Sequence, residues 1–132
     1  MTTELYWLAL VILMTSLMWL PYIAKLLLDV GVLPALQTAV ADRPVSAAWV
    51  TRAERAHANA VENLVLFAPL VLTAHAVGIH TELTAGAAAL YFWARAAHYL
   101  LYIAGLGPLR TLSFAVGVGA QLAFVYAILS QA

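Results

Sequence analysis

The sequence contains no cysteine, and that absence removes disulfides, cysteine-ligated metal and a protein thiol nucleophile together. Charge is almost as scarce: 9% of the 132 residues are charged, with six Lys or Arg against six Asp or Glu. The formal net charge is therefore zero, and there is no basic surface of the kind that nucleic acid requires. No HExxH or HxxxH pattern with acidic partners occurs, so no metal site is expected. The N-terminal residues Met1-Thr2-Thr3-Glu4 offer no basic region, and no small-residue cleavage site follows the first apolar run, so no removable signal peptide is expected.

Apolar residues fill the space that charge leaves. They make up 65% of the chain, and mean hydropathy is +0.94. A soluble domain is about a quarter charged and roughly half apolar, so this chain has too little polar surface to face water on all sides. Lipid is the solvent that removes the difficulty. A membrane helix needs about 20 mostly apolar residues, and four runs qualify, at about 5–28, 46–77, 83–103 and 109–129. The sequence predicts an all-α protein, an integral membrane four-helix bundle forming one domain over 1–132. Between the first two runs lies a polar connection with Asp29, Gly31, Pro34, Asp42, Arg43 and Pro44, read as a loop. Ser46 is the expected N-cap of the second helix. Lys25, Arg43, Arg52 and Arg55 flank the first loop and Arg110 the third, while the tails and the second loop carry no Lys or Arg. The positive-inside rule then puts the first and third loops in the cytoplasm and both termini outside.

Polar residues at membrane depth are costly, so each needs a reason. They fall in two stripes. On the second helix Arg52, Arg55, Asn59 and Glu62 are spaced 3, 4 and 3 apart, one helical face. On the third, Tyr91, Arg95, His98 and Tyr102 are spaced 4, 3 and 4, also one face. Arg110 opens the fourth helix and Gln121 lies deeper on it. Taken singly, these residues have ordinary explanations. Asn59, Glu62 and Arg95 suit interhelical hydrogen bonding, Arg110 suits an anchor at the cytoplasmic interface, His57 and His75 suit packing, and Trp7, Trp19, Trp49, Trp93, Tyr91 and Tyr99 suit an aromatic belt. Together, the stripes suggest a polar pocket. Guanidinium groups there would take carboxylates, and amide and carboxylate groups would take an amine and peptide bonds.

At these residues the sequence resembles a known family. The run Arg52-Ala53-Glu54-Arg55-Ala56-His57-Ala58-Asn59-Ala60-Val61-Glu62-Asn63, in shorthand RxxRAxxNxxE, resembles the signature of the MAPEG proteins, membrane-associated proteins in eicosanoid and glutathione metabolism. Arg95 to Tyr102 and Gly107-Pro108-Leu109-Arg110-Thr111 are similar too, most of all to the branch of microsomal prostaglandin E synthase and microsomal glutathione transferase. The resemblance implies a homotrimer in the bilayer with glutathione, as co-substrate, bound between subunits near the cytoplasmic face. Carried over by position, Arg52, Arg55, Asn59, Glu62, His98, Tyr102 and Thr111 would bind glutathione, and Arg110 would be the catalytic arginine that holds its sulfur. Ala58 stands where the prostaglandin synthase has an arginine, and Phe114 where it has a tyrosine. The expected function is that of a glutathione transferase or peroxidase acting on a lipophilic small molecule, in the inner membrane of a bacterium. The alternatives are a non-catalytic trimeric scaffold or accessory subunit and, more remotely, a small transporter, for which four helices without an inverted repeat give little basis.

Overall fold

In the computed structural model, residues 1–37 and 47–131 are described; Asp42, Arg43, Pro44 and the expected N-cap Ser46 lie outside them. The described residues form α1 (Thr3–Leu17), α2 (Leu20–Val30), α3 (Val32–Gln37), α4 (Ala48–Ala76), α5 (Glu82–Ala104) and α6 (Gly107–Leu129). The long antiparallel pair α4–α5 is the centre of the bundle. α1 packs against both of its members on one side and α6 against both on the other.

The first apolar run divides into α1 and α2. Pro21 has no N–H, so the helical ladder loses a donor to the Leu17 carbonyl. The chain turns through Met18 and Trp19, and the Tyr99 hydroxyl of α5 donates to the Met18 carbonyl at 2.8 Å. α2 then leans on the polar start of α4, where the Tyr22 hydroxyl meets His57 Nδ1 at 2.8 Å. Part of the predicted first loop is helical. Gly31, in a positive-φ conformation (φ +83°), ends α2, and its carbonyl accepts from Ala35 N in the first turn of α3.

The buried face of α4 is Val50, Ala53, Ala56, Ala60, Asn63, Phe67, Val71 and Ala74, a 3/4 repeat that runs the length of the helix. Small residues hold its polar half close to its neighbours. Its apolar half carries Phe67, whose ring stacks on Tyr91 at 3.7 Å and meets Phe124 edge-on at 5.8 Å. α5 begins at a capping box in which Thr81 and Thr84 satisfy each other's backbone N–H groups. It ends at Gly105 in the left-handed conformation, with Gly105 N bonded to Tyr102 O and Leu106 N to Leu101 O.

Three stretches, Thr3–Val30, Ala48–Ala76 and Gly107–Leu129, are long and apolar enough to cross a membrane by length and composition. α5 is as long as α6, but Tyr91, Arg95 and His98 reduce its apolarity. All three lie on its buried face, inside the bundle. The outer surface is apolar, with Leu13, Val65, Leu66, Leu72, Leu112 and Leu122 all exposed. The protein is an integral membrane helical bundle, hydrophobic outside and polar along an inner seam.

Candidate functional site

The seam is built around Arg95. This side chain is 2% exposed, enclosed by α4, α5 and α6. Its stem runs past Gly117 on α6, where a Cβ would stand 3.5 Å from Arg95 Cδ, in ordinary van der Waals contact. Arg95 Nη2 donates to Asn59 Oδ1 at 2.6 Å. Nε and Nη1 have no hydrogen-bond partner, and among the described residues no carboxylate pairs with the guanidinium. Asn59 is fixed along the backbone as well. Its carbonyl accepts from Asn63 Nδ2 (2.9 Å), and the Asn63 carbonyl accepts from Gln121 Nε2 (3.3 Å).

One turn further along α5, His98 ties that helix to the start of α6. His98 Nδ1 lies 3.0 Å from the Arg110 carbonyl, which also accepts from Ser113 Oγ at 2.8 Å. A carbonyl only accepts, so Nδ1 carries the proton; in the neutral ring Nε2 is then an acceptor, and it is buried without a partner. Phe114 links the two clusters, its ring centroid 5.9 Å from both the His98 ring and Arg95 Cζ. The Arg110 guanidinium lies 4.5 Å from the centroid of the Tyr102 ring, a cation–π contact.

The structure therefore draws Asn59, His98, Tyr102 and Arg110 onto one seam. The other sequence-predicted residues lie elsewhere. Arg52 Nε donates to the Ile103 carbonyl at 2.7 Å, a cation at the C-terminus of α5. Arg55 and Glu62 are exposed on the outer face of α4, two turns apart, with no hydrogen bond or ion pair among the described residues. Thr111 is exposed and donates to Gly107 O at 3.1 Å. The stripe on α4 straddles a boundary: Ala56, Ala60 and Asn63 face the bundle, Arg55 and Glu62 face away, and Asn59 sits on the edge. Lys25 pairs with Asp29 one turn along α2. The carried-over residues did not include Arg95, Asn63, Gln121 or Ser113. For Arg95 a signal was present, an arginine in mid-helix on the Tyr91–Tyr102 stripe. Ser113 bonds only to its own helix start and to His98, a local habit of serine that spacing does not reveal.

A second polar cluster occupies the other end of the bundle. Glu4, 3% exposed, accepts from Thr84 Oγ1 at 2.6 Å and lies 3.5 Å from His80 Nδ1. A cavity of about 560 Å³ opens beside it, lined by Val77, Gly78, Ile79, His80, Thr81, Ile128 and Gln131. Among the described residues no three His, Asp or Glu gather as a metal-ligand group.

An apolar exterior enclosing a seam of arginine, amide and histidine defines a membrane protein with polar groups held ready inside the bundle. The sequence model of the MAPEG family matches residues 3–130, nearly the whole chain, and the protein belongs to that family. Neither a curated protein nor a solved structure matches it.

Proposed function

We propose that the protein is a glutathione-dependent transferase or peroxidase that works as a homotrimer on lipophilic electrophiles or hydroperoxides drawn from the bilayer. The observation that carries this reading is the outer face of α4. Arg55 and Glu62 stand exposed there, about 10 Å apart along the axis, with no partner among the described residues. A guanidinium and a carboxylate turned away from their own membrane bundle call for a neighbouring subunit or a polar ligand. Glutathione, with two carboxylates, an ammonium and two peptide bonds, answers both groups. Family membership supports the same ligand and the same trimer. The five-to-none distribution of Lys and Arg supports a cytoplasmic position for this end of the bundle.

Arg110 is the residue assigned to the sulfur. A thiol near pKa 8.5 is only a few per cent thiolate at neutral pH, and the thiolate is the nucleophile. Lowering it by about 1.5 units takes about 2 kcal/mol of differential interaction. The charge must come from the guanidinium, because the first turn of α6 offers few free amides: Pro108 has no N–H and Arg110 N is bonded to Leu106 O at 2.9 Å. With an electrophile, the thiolate forms an S–C bond as the leaving group departs with the electron pair. With a hydroperoxide, two glutathione thiols supply two protons and two electrons, the O–O bond breaks, and an alcohol, water and the disulfide result. An apolar groove of about 330 Å³ between α5 and α6, lined by Leu101, Leu109, Leu112 and Ser113 among others, opens beside this turn and suits a lipophilic substrate.

The RxxRAxxNxxE run and the Gly107–Thr111 stretch support a position near the prostaglandin E synthase and microsomal glutathione transferase branch. Ala58 and Phe114 argue against prostaglandin synthesis itself. The test is Arg110→Leu, assayed as glutathione conjugation to an aryl halide. Loss of a 1.5-unit shift takes the thiolate from about half to about 3% and predicts a drop of roughly 15-fold near neutral pH; an unchanged rate removes Arg110 from the mechanism. One observation favours a non-catalytic trimeric scaffold instead: Asn59 and His98 are already engaged inside the subunit. Thermal unfolding in detergent separates the readings, because glutathione at about 100 times its dissociation constant adds roughly 2.7 kcal/mol to a protein that binds it and nothing to one that does not.

A further inference from the structure

We infer that Arg95 is a positioning residue: it locks the Asn59 amide with its Nδ2 outward, so that the binding site presents a hydrogen-bond donor there and selects a carbonyl or carboxylate group of the ligand. The inference rests on the glutathione reading above and goes beyond it, because Arg95 touches no ligand in this role.

The orientation follows from chemistry. A guanidinium has donors and no acceptor, so the Asn59 atom 2.6 Å from Arg95 Nη2 must be the oxygen. Turning the amide over would set two N–H groups against a buried cation. Oδ1 therefore faces the bundle, and Nδ2, with two hydrogens and no partner among the described residues, faces the other way. Asn59 sits on the edge of α4, between the packed face and the face that carries Arg55 and Glu62. Its free donor thus lies beside the groups assigned to glutathione.

Arg95 is equipped for this task. Its stem lies against Gly117, Phe114 flanks its guanidinium, and Asn59 Oδ1 is its only hydrogen-bond acceptor among the described residues. A cation with one acceptor has no competing pull. Asn59 is also held from behind, through Asn63 Nδ2 on its carbonyl and Gln121 Nε2 on the next asparagine's. Those two bonds hold the main chain of α4, while Arg95 alone holds the side-chain amide by its oxygen and leaves its nitrogen open.

The experiment compares full-length wild type, Asn59→Asp, Arg95→Met, Arg95→Lys and the Asn59→Asp/Arg95→Met double variant in detergent. It reads the thermal midpoint without glutathione, and KM for glutathione and kcat with it. Aspartate gives Arg95 a counter-ion but offers only acceptors outward. Asn59→Asp is therefore expected to raise the midpoint and to raise KM about tenfold, the worth of one good hydrogen bond, with kcat much less changed. In the Arg95→Met background the same change lowers the midpoint, because the carboxylate is left without its cation. Arg95→Met alone raises KM although Asn59 is intact, and Arg95→Lys, still donor-only, brings KM back toward wild type. A wild-type KM in Asn59→Asp, or in both Arg95 variants, overturns the positioning role while leaving the enzyme reading intact. Wild type that neither turns over glutathione nor is stabilised by it overturns the enzyme reading and this inference together.

Discussion

Glu4 and Arg95 are the two most deeply buried charged side chains among the described residues, 3% and 2% exposed, and they are treated in opposite ways. Glu4 is surrounded by partners: Thr84 donates to one carboxylate oxygen, His80 stands beside the other, and Thr84 is itself locked in the Thr81 capping box. Arg95 has a single acceptor, and two of its nitrogens have none. A buried charge with its partners complete serves to fasten helices together, here α1 to the start of α5. A buried charge with partners missing keeps its neighbours under electrical tension and is open to whatever binds next to it. The two ends of one bundle thus differ, one with its buried charge fully partnered, the other with its buried charge short of partners.

Removing partners in turn sharpens or breaks that contrast. Asn59→Leu takes away the last acceptor from Arg95 and should cost the most, about 3 kcal/mol or more, as for a buried charge stripped of its partner; the midpoint of thermal unfolding in detergent measures it. Glu4→Ala should cost about 2 kcal/mol by the same measurement, because Thr84 loses one bond yet keeps its cap. Were Glu4→Ala the more damaging change, Arg95 would have support beyond Asn59 and the contrast would fail. Tyr99→Phe frees the Met18 carbonyl at the bend of the first helix and should cost about 1 kcal/mol; increased proteolysis near Trp19 would be its local sign. Lys25→Ala removes an exposed pair with Asp29 and should move the midpoint by no more than about 0.5 kcal/mol.

Much of the fold was legible in the sequence, because lipid demands long apolar runs; three stretches meet that demand, and the fourth run forms α5, as long as α6 but less apolar. The seam was partly legible, since 3/4 spacing placed Tyr91, Arg95, His98 and Tyr102 on one face of α5. Spacing alone cannot say where a helix meets its neighbour, and so it could not separate Asn59, turned to Arg95, from Arg55 and Glu62, turned outward. Nor could it foresee that Arg52, which the resemblance assigned to glutathione, places its Nε on the Ile103 carbonyl, a contact across 51 residues that no local pattern encodes. The first run was expected as one helix over about 5–28; it bends after Leu17, ahead of Pro21, and the bend is anchored by a hydroxyl from α5, distant in sequence. α3 was hidden because Gly31 and Pro34 read as loop signals, whereas Gly31 here closes one helix and starts the next.

The contact between Arg52 and Ile103 changes how damage at Arg52 should be interpreted. By holding the Ile103 carbonyl in the last turn of α5, this arginine steadies the short connection through Gly105 that leads to Arg110 and its contact with Tyr102. Weakening the grip would let that connection wander, and any activity resting on Arg110 would fall whether or not Arg52 itself meets a ligand. Loss of activity in an Arg52 variant is therefore not by itself evidence of a lost ligand contact, because a loosened mounting would give the same result.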